Sequence, residues 1–398
     1  MTRWSLQTRG ISTLSATDAD RAAAEALGGV LTVRRLAGDR VEVRAKEKAG
    51  VLQSGHLRVE IRPRHISPAT LISLAARYER VTEHALDVGA PEGEDLLALL
   101  ARAFLIRMEA LFKHGLRMDY TDRRGPVDTL RGEVDLDRWF GPASPEGATR
   151  PPCRYRERTL DTVEHRILAW TLTTLAGSEA LEASQRRRAA AQAALLPPSP
   201  ARPTARDLAS ARRTGLHGAY AAPLDLAALI AQGMQTDGAG DTAGLGYLLE
   251  PDRLLERWLS TFLEVHLPDG WRVRPQVRFH LDHQDPDLER YADTVITDPT
   301  GRWAAVLDAK NKDLTGLRPE RDDIHQMIAY MATRRCADGY VVGIGPPEPS
   351  VREQTYALHG GLGTLTAVCI PGGPTLADME RAAGRWLAPH LARWVGTP

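Results

Sequence analysis

The chain has 398 residues, 43% of them hydrophobic, enough for two or three domains with a sizeable core. Lys plus Arg and Asp plus Glu number 51 each, so the formal net charge is zero. That balance counts against a stand-alone nucleic-acid binder, which usually shows a basic excess, but not against a chain whose partner grips the nucleic acid. Cys153, Cys336 and Cys369 are far apart and odd in number, which predicts reduced thiols, a cytoplasmic location and no cysteine metal site. The first thirty residues contain no continuous apolar segment, so no signal peptide is expected.

Residues 1–125 read as an N-terminal α+β domain. Val41-Glu-Val-Arg44 and Leu57-Arg-Val-Glu-Ile-Arg62 alternate apolar and polar, the period of a strand, and Pro63 closes the second. Ser67-Pro68 opens a helix, and Leu96 to Phe112 is a second, too short and too charged to be a membrane span. Residues 126–245 read as a helical middle region. An amphipathic helix starts near Thr159, Leu196-Pro-Pro-Ser-Pro-Ala-Arg-Pro203 breaks any helix, and the Gly-rich stretch from Gly233 to Gly246 reads as a flexible connector. Gln185-Arg-Arg-Arg188 is a basic cluster that serves either as a solvated helix face or as a DNA contact. Residues 246–398 read as an α/β domain in the order helix, three strands, helix, two strands, helix. Its helices are expected at Leu254–Val265, Asp323–Met331 and Thr375–Leu391, and its strands begin with Val273–Leu281, where Pro275 marks an edge.

The chemistry concentrates in that last stretch. Arg290-Tyr-Ala-Asp293 leads into the β-type run Thr294-Val-Ile-Thr297, and Trp303-Ala-Ala-Val-Leu307 runs into Asp308-Ala-Lys310. Between them Asp298-Pro-Thr-Gly301 is a turn signal. A hairpin turning about Pro299-Thr300 sets Asp293 opposite Val306, so Asp293, Asp308 and Lys310 share one face. Two carboxylates and an ammonium there suit a hydrolytic site built on a divalent metal: oxygen ligands for Mg²⁺, and a lysine to orient water or stabilise charge on a phosphate. A surface hairpin with a solvated Asp and Lys matches the same pattern. Lys312 shares the parity of Lys310 and either contacts phosphate or is simply exposed. His280 and His283 lack two further ligands nearby, which argues against zinc. There is no P-loop and no G-x-S-x-G elbow.

The Asp-x₁₄-Asp-x-Lys spacing resembles the PD-(D/E)XK nuclease superfamily, with Ala292 where that family has proline. A longer series of elements resembles the McrC family, the nuclease subunit of McrBC-type modification-dependent restriction systems. The series comprises Ile61-Arg-Pro-Arg64, Gly115-Leu-Arg-Met-Asp-Tyr120, Leu130-Arg-Gly132, Cys153-Arg-Tyr155, Thr159-Leu-Asp161, Arg166-Ile-Leu168, Leu255-Glu256, Leu307-Asp-Ala-Lys-Asn-Lys312 and Asp323 with Gln326 and Tyr330. His165 stands where the family usually has Asn. The resemblance implies a C-terminal PD-(D/E)XK core, a mixed sheet flanked by helices, behind an N-terminal α+β partner-docking domain and the helical middle region. It also implies a McrB-like AAA+ GTPase ring as partner, GTPase stimulation, and Mg²⁺-dependent cleavage of DNA, with Mn²⁺ as a substitute.

On this resemblance Asp293, Asp308 and Glu256 hold metal, while Asp293, Asp308, Lys310 and Gln326 are the catalytic set. Glu256 has an alternative as a surface carboxylate paired with Arg253, and Gln326 as a core hydrogen-bonding amide. Two other functions compete with the nuclease subunit: a non-catalytic adaptor on an AAA+ ring, and a stand-alone DNA-repair nuclease.

Overall fold

A computed structural model describes residues 2–78, 95–141, 149–213, 218–237, 244–280, 289–312 and 314–395. The chain is mixed α/β and forms two compact units. One comprises Met1–Leu100 together with Gln232–Pro398, the other Ala101–Ala231. The backbone thus divides along other lines than the three consecutive blocks read from sequence. Among the described residues no helix is long and apolar enough to cross a membrane.

The first unit begins with β1 (Thr2–Gln7), β2 (Ile11–Ser15), α1 (Asp18–Glu25), β3 (Leu31–Arg35), β4 (Arg40–Ala45), β5 (Ala49–Ser54), β6 (Leu57–Arg62) and α2 (Pro68–Tyr78). Leu57, Val59 and Ile61 are buried, as their alternation predicts. They pack with Trp4, Leu6, Val41 and Val43 into one core. α1 starts at Thr17, whose hydroxyl accepts from the Asp20 N–H while the Asp20 carboxylate accepts from the Thr17 N–H, a reciprocal cap. β2, β4 and β3 form a three-stranded antiparallel sheet.

α3 (Leu96–His114) runs on into the second unit, which holds β7 (Asp119–Pro126), β8 (Glu133–Val134), α4 (Leu136–Phe140), β9 (Pro152–Thr159), α5 (Val163–Gly177), α6 (Ala183–Ala193), α7 (Ala205–Arg213) and most of α8 (Gly218–Gly233). The middle region is therefore not helical throughout, because β9 pairs with both β7 and β8. In the basic cluster on α6, Arg188 donates to Glu109 at 2.6 Å. The buried His165, one turn into α5, donates from Nδ1 to the Leu160 carbonyl at 2.5 Å, since a carbonyl only accepts. Its Nε2 then accepts from the Tyr220 hydroxyl at 2.8 Å.

The stretch read as a flexible connector is the clearest correction. It contributes β10 (Met234–Asp237) and β11 (Gly244–Leu249), which complete a sheet in the order β1-β6-β5-β11-β10; residues 238–243 lie outside the described set. Of its glycines, Gly233 and Gly246 serve close packing, against Tyr247 and Leu52 respectively. Tyr247 is fully buried, and a Cβ on Gly233 would overlap its ring. Gly50, at φ +148°, meets the Tyr247 carbonyl in the same way.

The remainder of the first unit is α9 (Pro251–His266), β12 (Arg272–His280), β13 (Glu289–Thr297), β14 (Trp303–Lys310), α10 (Arg321–Arg334), β15 (Asp338–Gly345), β16 (Arg352–Leu358), β17 (Gly363–Pro371) and α11 (Leu376–Val395). The six strands form one mixed sheet, β12-β13-β14-β15-β17-β16, parallel from β14 through β15 to β17. The edge strand β16 was not expected. It is largely exposed, so it lacks the buried apolar run that marks β15 and β17. α9 covers one sheet face, where Ser260 and Thr294 share a hydrogen bond of 2.7 Å. α10 covers the other, with Met327 and Met331 against Val295 and Val306.

Candidate functional site at the end of β13 and β14

The hairpin turn is longer than the sequence suggested. The Asp298 N–H donates to the Arg302 carbonyl at 3.0 Å, and the Asp298 carboxylate accepts from the N–H groups of Thr300 and Arg302. An irregularity at Ile296/Thr297 then sets Thr294 opposite Leu307. Continued one pair further, that register brings Asp293 level with Asp308 and not with Val306. The offset is two residues, so the faces are unchanged: Asp293, Asp308 and Lys310 lie on the face covered by α10.

Asp308 ends a buried apolar run and is itself 0% exposed. Neither of its carboxylate oxygens has a hydrogen-bond donor. The Lys310 ammonium lies 3.0 Å from Oδ2, close enough for an ion pair but not aligned as a hydrogen bond. Burial, then the adjacent Asp293, push the Asp308 carboxyl far above the usual carboxylate range, against the pull of Lys310. Burial would lower the Lys310 ammonium, but Asp308, Asp293 and Asp323 together outweigh it and raise the group. Lys310 therefore stays charged beside a buried carboxyl group whose own ionisation is disfavoured.

Glu256 approaches from α9. It joins the group through Gln276 on β12, whose amide donates to Glu256 at 3.2 Å and to Asp293 at 3.3 Å. Burial raises the Glu256 carboxyl, Asp308 and Asp252 add to the rise, and Lys310 and Arg253 oppose it. Among the described residues Glu256 forms no ion pair with Arg253. Gln276 was missed by the sequence reading. It sits at φ +49°, a rare conformation for a residue with a Cβ, and such strain gathers where neighbouring groups over-determine a side chain. The only sequence signal was Pro275 inside a strand.

Gln326 does not touch the carboxylates. Its amide donates to the Tyr330 hydroxyl, which donates to the Tyr291 carbonyl at 2.6 Å. Burial pushes the Tyr330 hydroxyl up to about 12, with Asp293 and Asp308 contributing. Lys312 is neither free nor simply exposed: its ammonium bonds Glu320 at 2.7 Å and Asp323 at 2.9 Å. The His280 side chain and His283 lie outside the described residues. Cys153, Cys336 and Cys369 are all buried, and none of the three is in a disulfide.

Among the described residues no three His, Cys, Asp or Glu side chains already form a metal cage. The donor set nevertheless suits a hard cation. It is all oxygen, and the two buried oxygens of Asp308, which accept no hydrogen bond and have only the Lys310 ammonium near Oδ2, are atoms that a cation would satisfy.

A mixed sheet with an acidic residue on one strand and Asp-x-Lys at the end of the next is consistent with a PD-(D/E)XK core. The model of the McrBC 5-methylcytosine restriction system component matches residues 43–342, and the chain belongs to that family. A chain in the refined half-complex from the tetradecameric assembly of Thermococcus gammatolerans McrB AAA+ hexamers with bound McrC is similar in fold. Its TM-score is 0.66 at 14% identity, covering 97% of this chain and 100% of that one. A chain of the cryo-EM structure of the Thermococcus gammatolerans McrBC complex gives a TM-score of 0.42 at 12% identity, over 66% of this chain and 87% of that one. No curated protein sequence matches significantly.

Proposed function

We propose that this chain is the endonuclease subunit of a modification-dependent restriction system, hydrolysing DNA phosphodiesters with Mg²⁺ in complex with a McrB-like AAA+ GTPase whose activity it stimulates. The observation that carries the reading is Asp308, buried with two unsatisfied oxygens beside a charged lysine. Asp308 and Asp293 would hold Mg²⁺, with Glu256 reaching in from α9. A bound Mg²⁺ supplies Lewis acidity toward the phosphodiester and its attacking water. Lys310 donates hydrogen bonds to that water or to the phosphate oxygen on which charge builds. Gln276 keeps Glu256 and Asp293 together, and the Gln326–Tyr330 pair lines the α10 side.

Membership of the McrBC family, and the McrB hexamers named with the similar structure, support the ring partner. In the second unit Tyr120, Leu130, Leu136 and Phe140 are 56%, 64%, 57% and 77% exposed. Large apolar side chains left in water close together in sequence support a docking surface there. The test of the whole reading is Asp308→Ala in the purified complex, assayed on modified DNA with Mg²⁺ and GTP. Cleavage should vanish while partner binding and GTPase stimulation persist. Cleavage at the wild-type rate would remove Asp308 from the site.

A further inference from the structure

The first unit carries a basic cleft that the catalytic reading does not use. It has a volume of about 400 Å³ and is lined by Arg9, Arg44, Lys46, Glu47 and Lys48 with Gly29 and Thr32. Arg9 is ion-paired with Glu47 and with Asp252, and Lys46 donates to the Gly28 carbonyl at 2.7 Å, so the cation left to meet a ligand is Arg44. Arg44 is exposed at the centre of the three-stranded sheet, opposite Ile11 on β2 and Thr32 on β3. It makes no ion pair or hydrogen bond among the described residues, so its guanidinium is free to take a ligand.

The cleft adjoins the catalytic segment. Arg9, on its wall, pairs with Asp252 in the first turn of α9, four residues before Glu256. The preceding residue, Thr8, accepts a hydrogen bond of 3.4 Å from Asn311, which follows Lys310. A run of guanidinium and ammonium groups next to a site for phosphodiesters is the chemistry of a phosphate backbone track.

We propose that this cleft holds the sugar-phosphate backbone of the DNA flanking the bond to be cut. The identity of the ligand rests on the nuclease reading above. The cleft positions the duplex and reads no bases, because it offers charge without a groove-reading element.

The test measures binding of a labelled DNA duplex to the full-length chain by fluorescence anisotropy in EDTA, over a salt series. Cleavage is scored separately, with Mg²⁺ and the ring partner. Arg44→Ala should weaken binding roughly three- to tenfold and lower the slope of log affinity against log salt by about one. Arg44→Glu should weaken it further. Arg385→Ala, an equally exposed arginine on α11, should bind as wild type. Wild-type affinity and slope in both Arg44 variants overturn the proposal. So does a wild-type chain that does not bind duplex, or one whose Arg44-dependent ligand is a free mononucleotide or pyrophosphate instead. Arg44-dependent binding with no cleavage sinks the nuclease reading and leaves the cleft standing. Cleavage with unaffected Arg44 variants does the reverse.

Discussion

Replacing Asp308 by Asn should make the metal-free protein more stable while removing its response to Mg²⁺. The carboxylate is fully buried, receives no hydrogen bond, and has Asp293 beside it; only the ammonium of Lys310 compensates. Each unit by which burial raises a carboxyl above its ordinary pKa costs the folded state about 1.4 kcal/mol once the group must ionise. An upward shift of several units therefore places the penalty at roughly 3–5 kcal/mol near neutral pH. Asn removes it but leaves Lys310, whose side chain is only 18% exposed, without its partner, at a cost of roughly 1–3 kcal/mol. The net gain is about 0–4 kcal/mol, or up to about 8 °C in melting temperature for a unit of this size.

The sign with pH follows from the same shift. The native protein retains a proton that the unfolded chain releases, so wild-type stability falls as pH rises from the ordinary carboxylate pKa of 3.8 toward the raised value. The advantage of Asp308→Asn should be smallest in acid and largest at neutral pH. Thermal melts in EDTA at several pH values, repeated with millimolar Mg²⁺, measure both effects. A variant that melts below wild type in EDTA at neutral pH would refute the reasoning and make Asp308 a structural partner of Lys310.

Lys310→Ala should slow cleavage by roughly 10²–10³ while changing Mg²⁺ affinity far less, because the lysine acts on developing charge; calorimetry beside single-turnover rates separates the two, and equal losses would mark a structural lysine. Glu256→Gln should slow cleavage and raise the Mg²⁺ concentration needed for half-maximal rate, whereas an unchanged titration would leave Glu256 outside the metal shell. Leu130→Asp with Phe140→Asp should abolish stimulation of the GTPase without altering the melting curve of the chain; full stimulation would move the docking surface elsewhere. Burial lowers the His165 pKa, although Leu160 and Glu164 oppose it, so its contribution is present above the unfolded pKa of 6.5 and is lost as pH falls through the folded value. The acid limb of the melting profile should flatten in His165→Asn, and an identical limb in both proteins would show that His165 is not the group responsible.

The common face of Asp293, Asp308 and Lys310 was legible because side-chain alternation is robust. A longer turn and a bulge moved Asp293 from Val306 to Asp308, yet an even offset preserves the face. Asp308 was legible because an apolar run that ends in a charge has few explanations. Gln276 was not, since its conformation is fixed by carboxylates on two other elements. Nor was the pairing of β11 with β5, which joins residues nearly two hundred positions apart and leaves no periodic trace. Gly233 and Gly246 misled for a physical reason: composition reports that a side chain is missing, while only the fold reports that Tyr247 and Leu52 occupy the space.

That long-range pairing has a consequence for synthesis. β5 emerges early from the ribosome but must wait for β11, and the strand bearing Asp308 follows later still. Closing so large an excursion is an entropic cost that local contacts cannot relieve, so the first unit is among the last parts of the molecule to be completed. A nascent or prematurely terminated chain ending within the second unit carries the exposed apolar residues of that unit but neither the Asp-x-Lys strand nor the finished first sheet. On the nuclease reading, the capacity to cut arrives only with the whole polypeptide, and the order of synthesis itself withholds it until then.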